Sequence, residues 1–585
     1  MKATIAELLH QSLLTIIETG AAEFTLPAEI LVERARDPRH GDLASNVAMA
    51  LAKKASMPPR ELATLIVEHL PQTPQIERVS IAGPGFINFT LAAGVTQQLI
   101  AQILGAGEQY GRSDIGEGQK ILVEFISANP TGPLHVGHGR LAAYGASVAA
   151  LLEAVGYDVH REYYVNDAGR QMDILAVSLW LRYLQKRGEE ISFPANAYRG
   201  EYIVDIAKTL QENYGDRFHF EADAVLANLP QDEPDGGDKE VYIDAIANRA
   251  RELLGDDYAV VHDTALTAIL ADIKQDLEEF GVTIDTWFSE RSLTDQHLVD
   301  RALVKLQEHD SVFEKDGALW FRATNYGDDK DRVVRRANGQ KTYFASDIAY
   351  HLNKRQRGFD LLLDVLGSDH HGYVTRVRAG LEAMGEPPES LEVRLMQFVA
   401  LYRGGKKAQM STRSGGFVSL RELREEVGND AARFFYVMRS NDQHLDFDLD
   451  LAKEKREENP VFYVQYAHAR THRILQHPEV RKRPWDRTNA LKHLAKLDHV
   501  KEEALLKQLA RYPEIIQLAA RNRAPQTVVN YLRELCASFH SFYNDVRVLC
   551  DDNDLRDARL ALATATAQVI SNGLGLLGVS APTRM

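Results

Sequence analysis

The sequence predicts an α/β protein in which a Rossmann-type parallel-sheet domain lies between an α+β N-terminal domain and an all-α C-terminal helical bundle. The first observation is the apolar run ILVEFI (121–126), which leads through a Gly/Pro-rich turn and a helix-like stretch to a second strand, DVHREYYV (158–165). The second is FDLLLDVLGSDHHG (359–372), which repeats the strand-to-loop transition far downstream, so the sheet is expected to be split. The third is the chain from about residue 455 onward, which is helix-like throughout.

The elements of the flanking regions follow from the same patterns. The chain opens with an amphipathic helix pattern at 1–20 and reaches a strand-like segment, RVSIAGPGFINFTL (78–91), which together read as a small α+β domain. Inside the sheet domain, the acidic segment NLPQDEPDGGDKE (228–240) has mostly helical flanks and suggests an inserted surface module. The predicted domains are therefore 1–110, 111–454 with an insertion at about 186–265, and 455–585.

The charge is distributed unevenly along the chain. The 585 residues carry a formal net charge of −15, which excludes a uniformly basic nucleic-acid coat. Residues 455–585 contain 20 Lys and Arg against 14 Asp and Glu, a net charge of +6, which leaves −21 for residues 1–454. The two ends of the chain therefore differ in sign.

Cysteine content and hydropathy indicate the cellular compartment. Cys536 and Cys550 are too few for a disulfide framework or a four-thiolate zinc site. No apolar run approaches the roughly 20 residues that a membrane span needs, and the N-terminus has no signal-peptide pattern. We therefore expect a reduced, cytoplasmic protein without a membrane partner.

Two histidines mark the turn after the first predicted strand. His135 and His138 lie three residues apart at the start of a predicted helix, in PTGPLHVGHGR. Such a pair can cap the helix or lie in the core, or can supply two metal ligands, although further ligands are not nearby in the sequence. A helix N-terminus also attracts anions, and Gly137 would let a flat base pack on the backbone. The surrounding turn residues favour this third interpretation.

These residues carry a resemblance to a known family. LHVGH resembles the HIGH signature of class I aminoacyl-tRNA synthetases, and EFISANPTGPLHVGHGR resembles the bacterial-type arginyl-tRNA synthetases in particular. HGDLASNVAMALAK and GPGFIN resemble that family's N-terminal domain, while GNDAARFFYVMRS and LGLLGVSAPTRM resemble the approach to its anticodon-binding domain and its closing helix. The resemblance thus covers nearly the whole chain.

The resemblance implies an activity, substrates and an oligomeric state. The expected enzyme is a monomeric ligase that activates L-arginine with ATP and Mg²⁺ to arginyl-adenylate. It would then transfer the arginyl group to the 2′-OH of the terminal adenosine of tRNA(Arg). Bound tRNA is expected to be required for the first step.

The family's second signature, the KMSKS loop, is present in an altered form. In GGKKAQMSTRSG (404–415), Met410 and Ser411 fit the signature, whereas Gln409 and Thr412 stand where lysines are expected. Phosphoryl transfer needs cationic groups, because its catalysis is mostly electrostatic positioning. The candidates are Lys406, Lys407 and Arg413, and a solvated basic loop is the alternative.

An arginine pocket would need carboxylates and a phenol for the guanidinium, and another acceptor for the α-amino group. Glu124 interrupts an apolar strand, so it should face a cation or a loop; a partner for a structural arginine is its alternative role. Tyr343 and Asp347 are spaced i, i+4 and could share one helix face, although Asp347 could instead pair with a nearby lysine.

The resemblance implies roles for individual residues. Tyr343 and Asp347 match the residues that hold the guanidinium, and Glu290 matches a further carboxylate. The other implied arginine-binding residues are Glu124, Asn129, His135 and His371. The implied ATP-binding residues are Pro130, Thr131, Gly132, His135, Gly137, His138, Asp369 and His370. The implied catalytic residues are His135, His138, Lys406, Lys407, Met410, Ser411 and Arg413.

The segment GSDHHG (367–372) supports a rival hypothesis. Asp369, His370 and His371 could form the metal site of a phosphoesterase, which would bind metal tightly and act without arginine. Such an enzyme needs more carboxylates nearby, and the sequence offers no convincing set, so no dedicated metal site is expected.

Contacts with tRNA are expected outside this pocket. In ENPVFYVQYAHARTHRIL (458–475), basic side chains beside tyrosines suit phosphates and unpaired bases, although a solvated helix face explains the composition equally well. For Phe86 and Asn88, which match positions near the tRNA elbow, a purely structural strand is the alternative. The implied tRNA-binding residues are Phe86, Asn88, Tyr463, Tyr466, Arg470, Arg473 and Tyr543.

A third hypothesis is a tRNA-binding scaffold that descends from a synthetase and has lost amino-acid activation. Gln409 and Thr412 motivate this hypothesis, because they replace the expected lysines. Exchange between ATP and pyrophosphate that depends on arginine and tRNA distinguishes the three hypotheses.

Overall fold

The computed structural model describes residues 1–35, 37–92, 94–370, 372–408 and 418–585. These residues form two compact units. The first comprises Met1–Glu108, Thr471–Arg511 and Ala537–Gln568, and the second comprises Gln109–Arg470, Tyr512–Cys536 and Val569–Met585. Within the described ranges, none of the helices combines the length and the apolar character needed to cross a membrane.

The N-terminal region of the first unit combines helices with an antiparallel sheet. Its elements are α1 (Lys2–Glu18), β1 (Val32–Arg34), β2 (Leu43–Ser45), α2 (Val47–Leu51), α3 (Pro59–Glu68), β3 (Ile76–Ala82), β4 (Phe86–Leu91) and α4 (Val95–Ala106). The strand order is β1-β2-β4-β3. Leu9 and Leu13 of α1, Leu62 of α3 and Phe89 of β4 share one buried core. The predicted α+β character is therefore confirmed.

The second unit is built on a parallel sheet that alternates with helices. Its elements up to the end of the third strand are β5 (Lys120–Phe125), α5 (Val136–Ala154), β6 (Asp158–Val165), α6 (Arg170–Lys186), α7 (Glu201–Tyr214), α8 (Ala222–Leu226), α9 (Lys239–Leu254), α10 (Asp257–Glu279) and β7 (Thr286–Ser289). Those that follow are α11 (Arg291–Asp295), α12 (Leu298–Glu308), β8 (Val312–Lys315), β9 (Ala318–Phe321), β10 (Arg332–Arg335), α13 (Tyr343–Gln356), β11 (Leu361–Gly367), α14 (Tyr373–Ala383), β12 (Leu391–Met396), β13 (Val399–Arg403), β14 (Lys406–Lys407), α15 (Leu420–Val427), α16 (Asn429–Val437), β15 (Leu445–Asp448) and α17 (Leu449–Lys453).

The order of the parallel strands places a crevice in the middle of the sheet. The order is β12-β11-β5-β6-β7, and all four pairings are parallel. Because the winding direction reverses between β5 and β11, the loops after these two strands border one crevice, where open α/β sheets bind ligands. The predicted fold class and the predicted split of the sheet are both confirmed.

The insertion consists of helices that connect β6 to β7. Helix α6 packs against α7, α9 and α10. Trp180 of α6 is fully buried, and its Nε1 donates a hydrogen bond to the carbonyl oxygen of Phe218 at 2.9 Å. The predicted insertion at 186–265 lies within this helical segment.

The C-terminal region is helical, as predicted. Its helices are α18 (Pro460–Leu475), α19 (Pro478–Lys482), α20 (Arg487–Lys492), α21 (Val500–Leu509), α22 (Tyr512–Asn522), α23 (Gln526–Asp545) and α24 (Asn553–Leu576). In the first unit, α4 packs against α20 and α21, and the buried carboxylate of Glu502 pairs with Arg559 at 2.6 Å. Cys536 is a buried free thiol, and burial raises its pKa.

Candidate active site

A strained turn ends β5 one residue before the predicted strand end. Ile126 and Ser127 adopt φ angles of 75° and 38°, and this left-handed conformation is unfavourable for a β-branched residue. The turn brings Ser127 Oγ to the ends of two strands. It donates to Glu124 Oε1 at 2.9 Å and accepts from the Tyr164 amide at 3.0 Å. These two hydrogen bonds connect the end of β5 to β6.

Helix α5 begins with an interlocked histidine pair. The Nδ1 atom of His135, the N-cap residue, accepts from the amides of Gly137 at 3.0 Å and His138 at 3.3 Å. The Nδ1 atom of His138 accepts from the His135 amide at 3.3 Å, and the ring centroids lie 3.5 Å apart. Because each Nδ1 accepts, the hydrogen-bond pattern assigns the ring proton to Nε2 in both residues.

The two imidazoles are neutral at physiological pH. Burial lowers the pKa of His138 to about 3 and also lowers the pKa of His135. Capping uses Nδ1, so the ring N–H group of each histidine is an Nε2–H donor without formal charge. The capping and ligand-binding interpretations are therefore compatible.

Gly137 has a structural role in the capping of α5, and the predicted packing of a base on its backbone stays a prediction. A Cβ atom at this position would lie 2.9 Å from His135 Cε1, which is closer than Cβ contacts normally allow. The missing side chain therefore makes room for the capping ring of His135.

The turn before this helix is held by the insertion. The Tyr202 hydroxyl of α7 donates to the carbonyl oxygen of Thr131 at 2.7 Å, and a Cβ atom at Gly132 would lie 2.9 Å from the same hydroxyl. Pro130 is buried, whereas Asn129 is exposed, and its Oδ1 lies 3.0 Å from the Asn166 side-chain nitrogen. The predicted ATP-binding turn thus rests on a tyrosine from a distant part of the chain.

The structure describes the residues on both sides of the altered second signature. Gly404 and Gly405 make a two-residue turn with positive φ angles that joins β13 to β14, and Lys406 and Lys407 of β14 are exposed. The next residues, Gln409, Met410, Ser411, Thr412 and Arg413, lie outside the described residues.

From residue 418 onward, the chain lies beside the start of α5. The Val136 amide donates to the Val418 carbonyl at 3.1 Å, and the Leu420 amide donates to the Leu134 carbonyl at 2.7 Å. Ser419 then caps α15, whose third residue, Glu422, returns the hydrogen bond. The segment that follows 409–417 is therefore anchored beside the histidine pair.

A cluster of carboxylates lies at the ends of β5, β6 and β7. Burial and the negative charges of Glu290, Asp347, Glu124 and Asp167 raise the pKa of the Tyr164 hydroxyl. Burial, Asp167 and Asp347 also raise the pKa of Glu290 to about 7. Like charges are crowded here and need a cation for compensation.

Asp347 of α13 is a further carboxylate of this cluster. Burial raises its pKa to about 6, and Glu124 adds to this effect while His351 and Arg376 oppose it. No described residue donates a hydrogen bond to its carboxylate or forms an ion pair with it, in contrast to the lysine pair considered as its alternative. Tyr343, one turn earlier on α13, is 74% exposed. The two side chains thus lie on one helix as predicted, and their role in binding stays a prediction.

Glu124 faces a cation, as its buried position requires. Its Oε2 lies 2.5 Å from Lys354 Nζ, and both residues are buried. The partner is therefore a lysine and not the arginine considered as the structural alternative.

The Asp-His-His segment follows β11. Asp369 and His370 are exposed, and His370 Nε2 lies 3.7 Å from Asp369 Oδ2, while His371 falls outside the described residues. Among the described residues, the one group of three potential metal ligands is Glu189, His219 and Glu221, in the insertion. The phosphoesterase hypothesis therefore has no described metal cluster at this segment.

Several site residues are not predicted by the sequence analysis. Tyr164, Asn166 and Asp167 lie at the end of β6, and the rule that parallel strands end at one edge could have found them. In the sequence, Lys354 resembles an ordinary lysine on the surface of a helix. Tyr202 lies 71 residues from Thr131, whose carbonyl it binds, and no local pattern indicates the contact.

The predicted tRNA contacts occupy two places. Phe86 is 42% exposed and Asn88 is buried, and both line a cavity of about 540 Å³ in the N-terminal region, together with Arg34 and His40. The backbone of β4 holds both residues, so the structural alternative and ligand binding are compatible.

The other predicted contacts lie on α18 and α23. The Arg470 guanidinium lies 5.8 Å from the centroid of the Tyr466 ring, which stacks on Phe462. Tyr463 and Tyr543 are half-buried, and Arg473 is exposed.

Comparisons with known proteins agree with this architecture. Family models match for the N-terminal domain of arginyl-tRNA synthetases at residues 2–91, the catalytic domain of class I tRNA synthetases (R) at 99–474 and the DALR anticodon-binding domain at 464–585. The arginine–tRNA ligases of Thioalkalivibrio sulfidiphilus and Legionella pneumophila are 57% and 53% identical, each over 100% of both chains. The structure of Thermus thermophilus arginyl-tRNA synthetase is 23% identical and covers 100% of both chains with a TM-score of 0.74, which supports the fold. The chain therefore belongs to the arginyl-tRNA synthetase family of class I aminoacyl-tRNA synthetases.

Proposed function

We propose that the protein attaches L-arginine to tRNA(Arg) in two displacements at the crevice between β5 and β11. In the first, an arginine carboxylate oxygen attacks the α-phosphorus of ATP, the bond to the bridging oxygen breaks, and pyrophosphate leaves. In the second, the 2′-OH of the terminal adenosine of tRNA attacks the carbonyl carbon of arginyl-adenylate. AMP leaves, and the hydroxyl proton passes to solvent or phosphate.

The carboxylate cluster around Tyr164 is the observation that supports this function most directly. Asp347 and Glu290 have raised pKa values because burial and neighbouring negative charge oppose their ionisation. A planar guanidinium would restore the balance of charge and can donate five hydrogen bonds to carboxylates and to the Tyr343 hydroxyl. Asp347, Glu290 and Tyr343 are therefore assigned to the arginine side chain.

The α-amino end of the substrate belongs at the end of β5. Glu124 is an acceptor next to the strained turn, and Asn129 lies exposed beyond it. His135 and His371 complete the proposed arginine site. This orientation would point the reactive carboxylate toward the start of α5, where the phosphates of ATP are assigned.

ATP is assigned to the turn and helix that carry the histidine pair. The residues Pro130, Thr131, Gly132 and Gly137 shape the backbone, while His135 and His138 offer Nε2–H groups at a helix N-terminus. Neutral donors at this point stabilise charge on the phosphates without adding a cation that would compete with the arginine guanidinium for Asp347. Asp369 and His370 border the same crevice after β11.

The segment after β14 would supply positive charge to the leaving pyrophosphate. Lys406 and Lys407 lie on β14, and Met410, Ser411 and Arg413 follow in the sequence. Mg²⁺ bound with ATP would neutralise further phosphate charge.

The flanking domains are assigned to tRNA. Residues 1–110 would contact the tRNA elbow through the cavity lined by Phe86 and Asn88, and residues 455–585 would read the anticodon through Tyr463, Tyr466, Arg470, Arg473 and Tyr543. The protein is proposed to act as a cytoplasmic monomer.

ATP–pyrophosphate exchange tests this proposal. We expect exchange with L-arginine and cognate tRNA together, and little exchange when either is omitted or when L-lysine replaces L-arginine. No exchange by folded protein with arginine and tRNA would refute the synthetase function and favour the inactive scaffold. Exchange with arginine alone would refute only the requirement for tRNA.

A further inference from the structure

A row of buried carboxylates crosses the parallel sheet beneath the proposed arginine site. Asp364 of β11 is in register with Glu124 of β5, which is in register with Glu162 of β6. The three residues are at most 5% exposed. Three carboxylates on neighbouring strands repel one another in a buried setting, so the row needs positive charge nearby.

One helix supplies that charge. The last turns of α13 carry His351 and Lys354, and Arg357 follows directly. Arg357 forms two hydrogen bonds to Glu162, at 2.5 and 2.8 Å. His351 Nε2 lies 2.7 Å from Asp364 Oδ2.

Lys354 lies between the other two carboxylates. Its Nζ donates to Glu124 Oε2 at 2.5 Å and to Asp364 Oδ1 at 2.8 Å, and its side chain is fully buried. Burial opposes the charge of Lys354, but Asp364, Glu124 and Glu162 outweigh it and raise the lysine pKa. The ammonium group is therefore charged at physiological pH.

These contacts fix both oxygens of Glu124. Lys354 holds Oε2, and the Ser127 hydroxyl holds Oε1 at 2.9 Å. A carboxylate has about four lone-pair sites, so acceptor capacity remains on each oxygen. Stability alone does not require such an arrangement, because well-packed apolar residues often replace a buried ion pair without loss.

We propose that Lys354 is a positioning residue for the amino-acid site, which holds the Glu124 carboxylate in one orientation for the substrate's α-ammonium group. This inference rests on the proposed function. Helix α13 also carries Tyr343 and Asp347, so Lys354 connects the acceptor for one end of the substrate to the helix that carries the acceptors for the other end. Lys354 would thereby help to select the length of the amino-acid side chain.

The test measures KM for L-arginine, L-homoarginine and ATP in tRNA-dependent exchange. For Lys354→Met we expect KM for arginine to rise about tenfold or more, because a charge-assisted contact loses its orientation. KM for ATP should stay within about twofold, because its proposed contacts are unchanged. The ratio of the KM for homoarginine to the KM for arginine should decrease in Lys354→Met. Lys354→Arg should keep most of the affinity for arginine.

Arg357→Met is the matched control. It removes a cation that pairs with the same row of carboxylates and follows the same helix, but it does not touch Glu124. We expect this variant to change the melting temperature and to leave KM for arginine unchanged.

Three outcomes would overturn the inference: an unchanged arginine KM in folded Lys354→Met, equal rises in KM for arginine and ATP, or the same effect in the Arg357 variant. If Lys354→Met does not fold, Asp364→Asn decides. We expect a smaller but selective rise in arginine KM for Asp364→Asn, and a wild-type value would overturn the inference. Absence of exchange in the wild-type protein would instead refute the proposed function.

Discussion

At the scale of single residues, the site is organised by carboxylates that share too little positive charge. Lys354 pairs with Glu124, and Ser289 and Arg291 donate hydrogen bonds to Asp167, whereas no described residue donates a hydrogen bond to the Asp347 carboxylate or forms an ion pair with it. A half-buried carboxylate with no direct partner among the described residues suits a cationic ligand.

Replacement of Asp347 tests its assignment to the guanidinium. We expect Asp347→Asn to raise KM for arginine about 10- to 100-fold, because hydrogen bonds to charged groups contribute about 1.5–3 kcal/mol. KM for ATP should change less than about twofold, since ATP is assigned to α5. Asp316→Asn, in the exposed turn between β8 and β9, is the control for loss of a carboxylate. An unchanged arginine KM would remove Asp347 from the pocket.

The raised pKa values predict how arginine binding depends on pH. Asp347 and Glu290 have pKa values of about 6 and about 7, above their ordinary values of 3.8 and 4.5, so both are largely protonated at pH 5. Their contribution to the stability of the free protein is present at low pH and is lost as the pH rises through these values. Arginine is proposed to bind the ionised forms, so its affinity should increase at least about tenfold from pH 5 to pH 8.

Calorimetric titration in buffers with different ionisation enthalpies measures this linkage. Arginine should displace protons near pH 6, and Glu290→Gln should remove the part of the dependence centred near pH 7. The melting temperature should also rise more on arginine binding at pH 7.5 than at pH 5.5. An affinity that does not vary between pH 5 and pH 8 would contradict the pKa assignments.

At the scale of elements, the start of α5 fixes the orientation of the two histidines that are proposed to bind the phosphates. Gly137 makes room for the His135 ring, and that ring caps the helix and holds its own tautomer. The helix then packs tightly on β5, since a Cβ atom at Gly145 would lie 2.3 Å from the Phe125 ring. Gly145 of α5 and Phe125 of β5 therefore bring the helix and the strand into close contact.

Enlargement of Gly137 tests the role of the helix start. Gly137→Ala should displace the His135 ring and lower the maximal exchange rate about tenfold or more, because a shift of the reacting groups by fractions of an ångström is costly. KM for arginine should rise as well, because His135 is also assigned to the arginine site. Gly105→Ala, on α4, places its Cβ in open space and is the control for added side-chain bulk in a helix. A wild-type rate in folded Gly137→Ala would exclude the histidine arrangement from catalysis.

Local patterns predicted the elements better than the contacts between them. Apolar runs and turn residues placed β5, β6 and β11 and the start of α5 within one or two residues, because these signals are local. The ion pair of Lys354 with Glu124 and the hydrogen bond of Tyr202 with Thr131 join residues 230 and 71 positions apart, so no local pattern encodes them. The strained turn at Ile126 likewise depends on tertiary contacts.

At the scale of the whole molecule, the distribution of charge matches the proposed division of labour. Residues 1–454 have a net charge of −21 and contain the carboxylate cluster, whereas residues 455–585 have a net charge of +6 and contain the predicted anticodon contacts. An acidic pocket attracts a cationic amino acid, while a basic helical region favours a polyanion. The contrast favours docking of tRNA through particular surfaces over general affinity for nucleic acid.

Charging of total tRNA with each of the twenty amino acids tests the central claim most directly. The carboxylate cluster and the proposed tRNA-binding domains predict that arginine alone is esterified, and that sequencing of the charged fraction recovers only tRNAs with arginine anticodons. Charging with lysine, or arginine esterified to tRNAs of other specificities at comparable rates, would contradict the account.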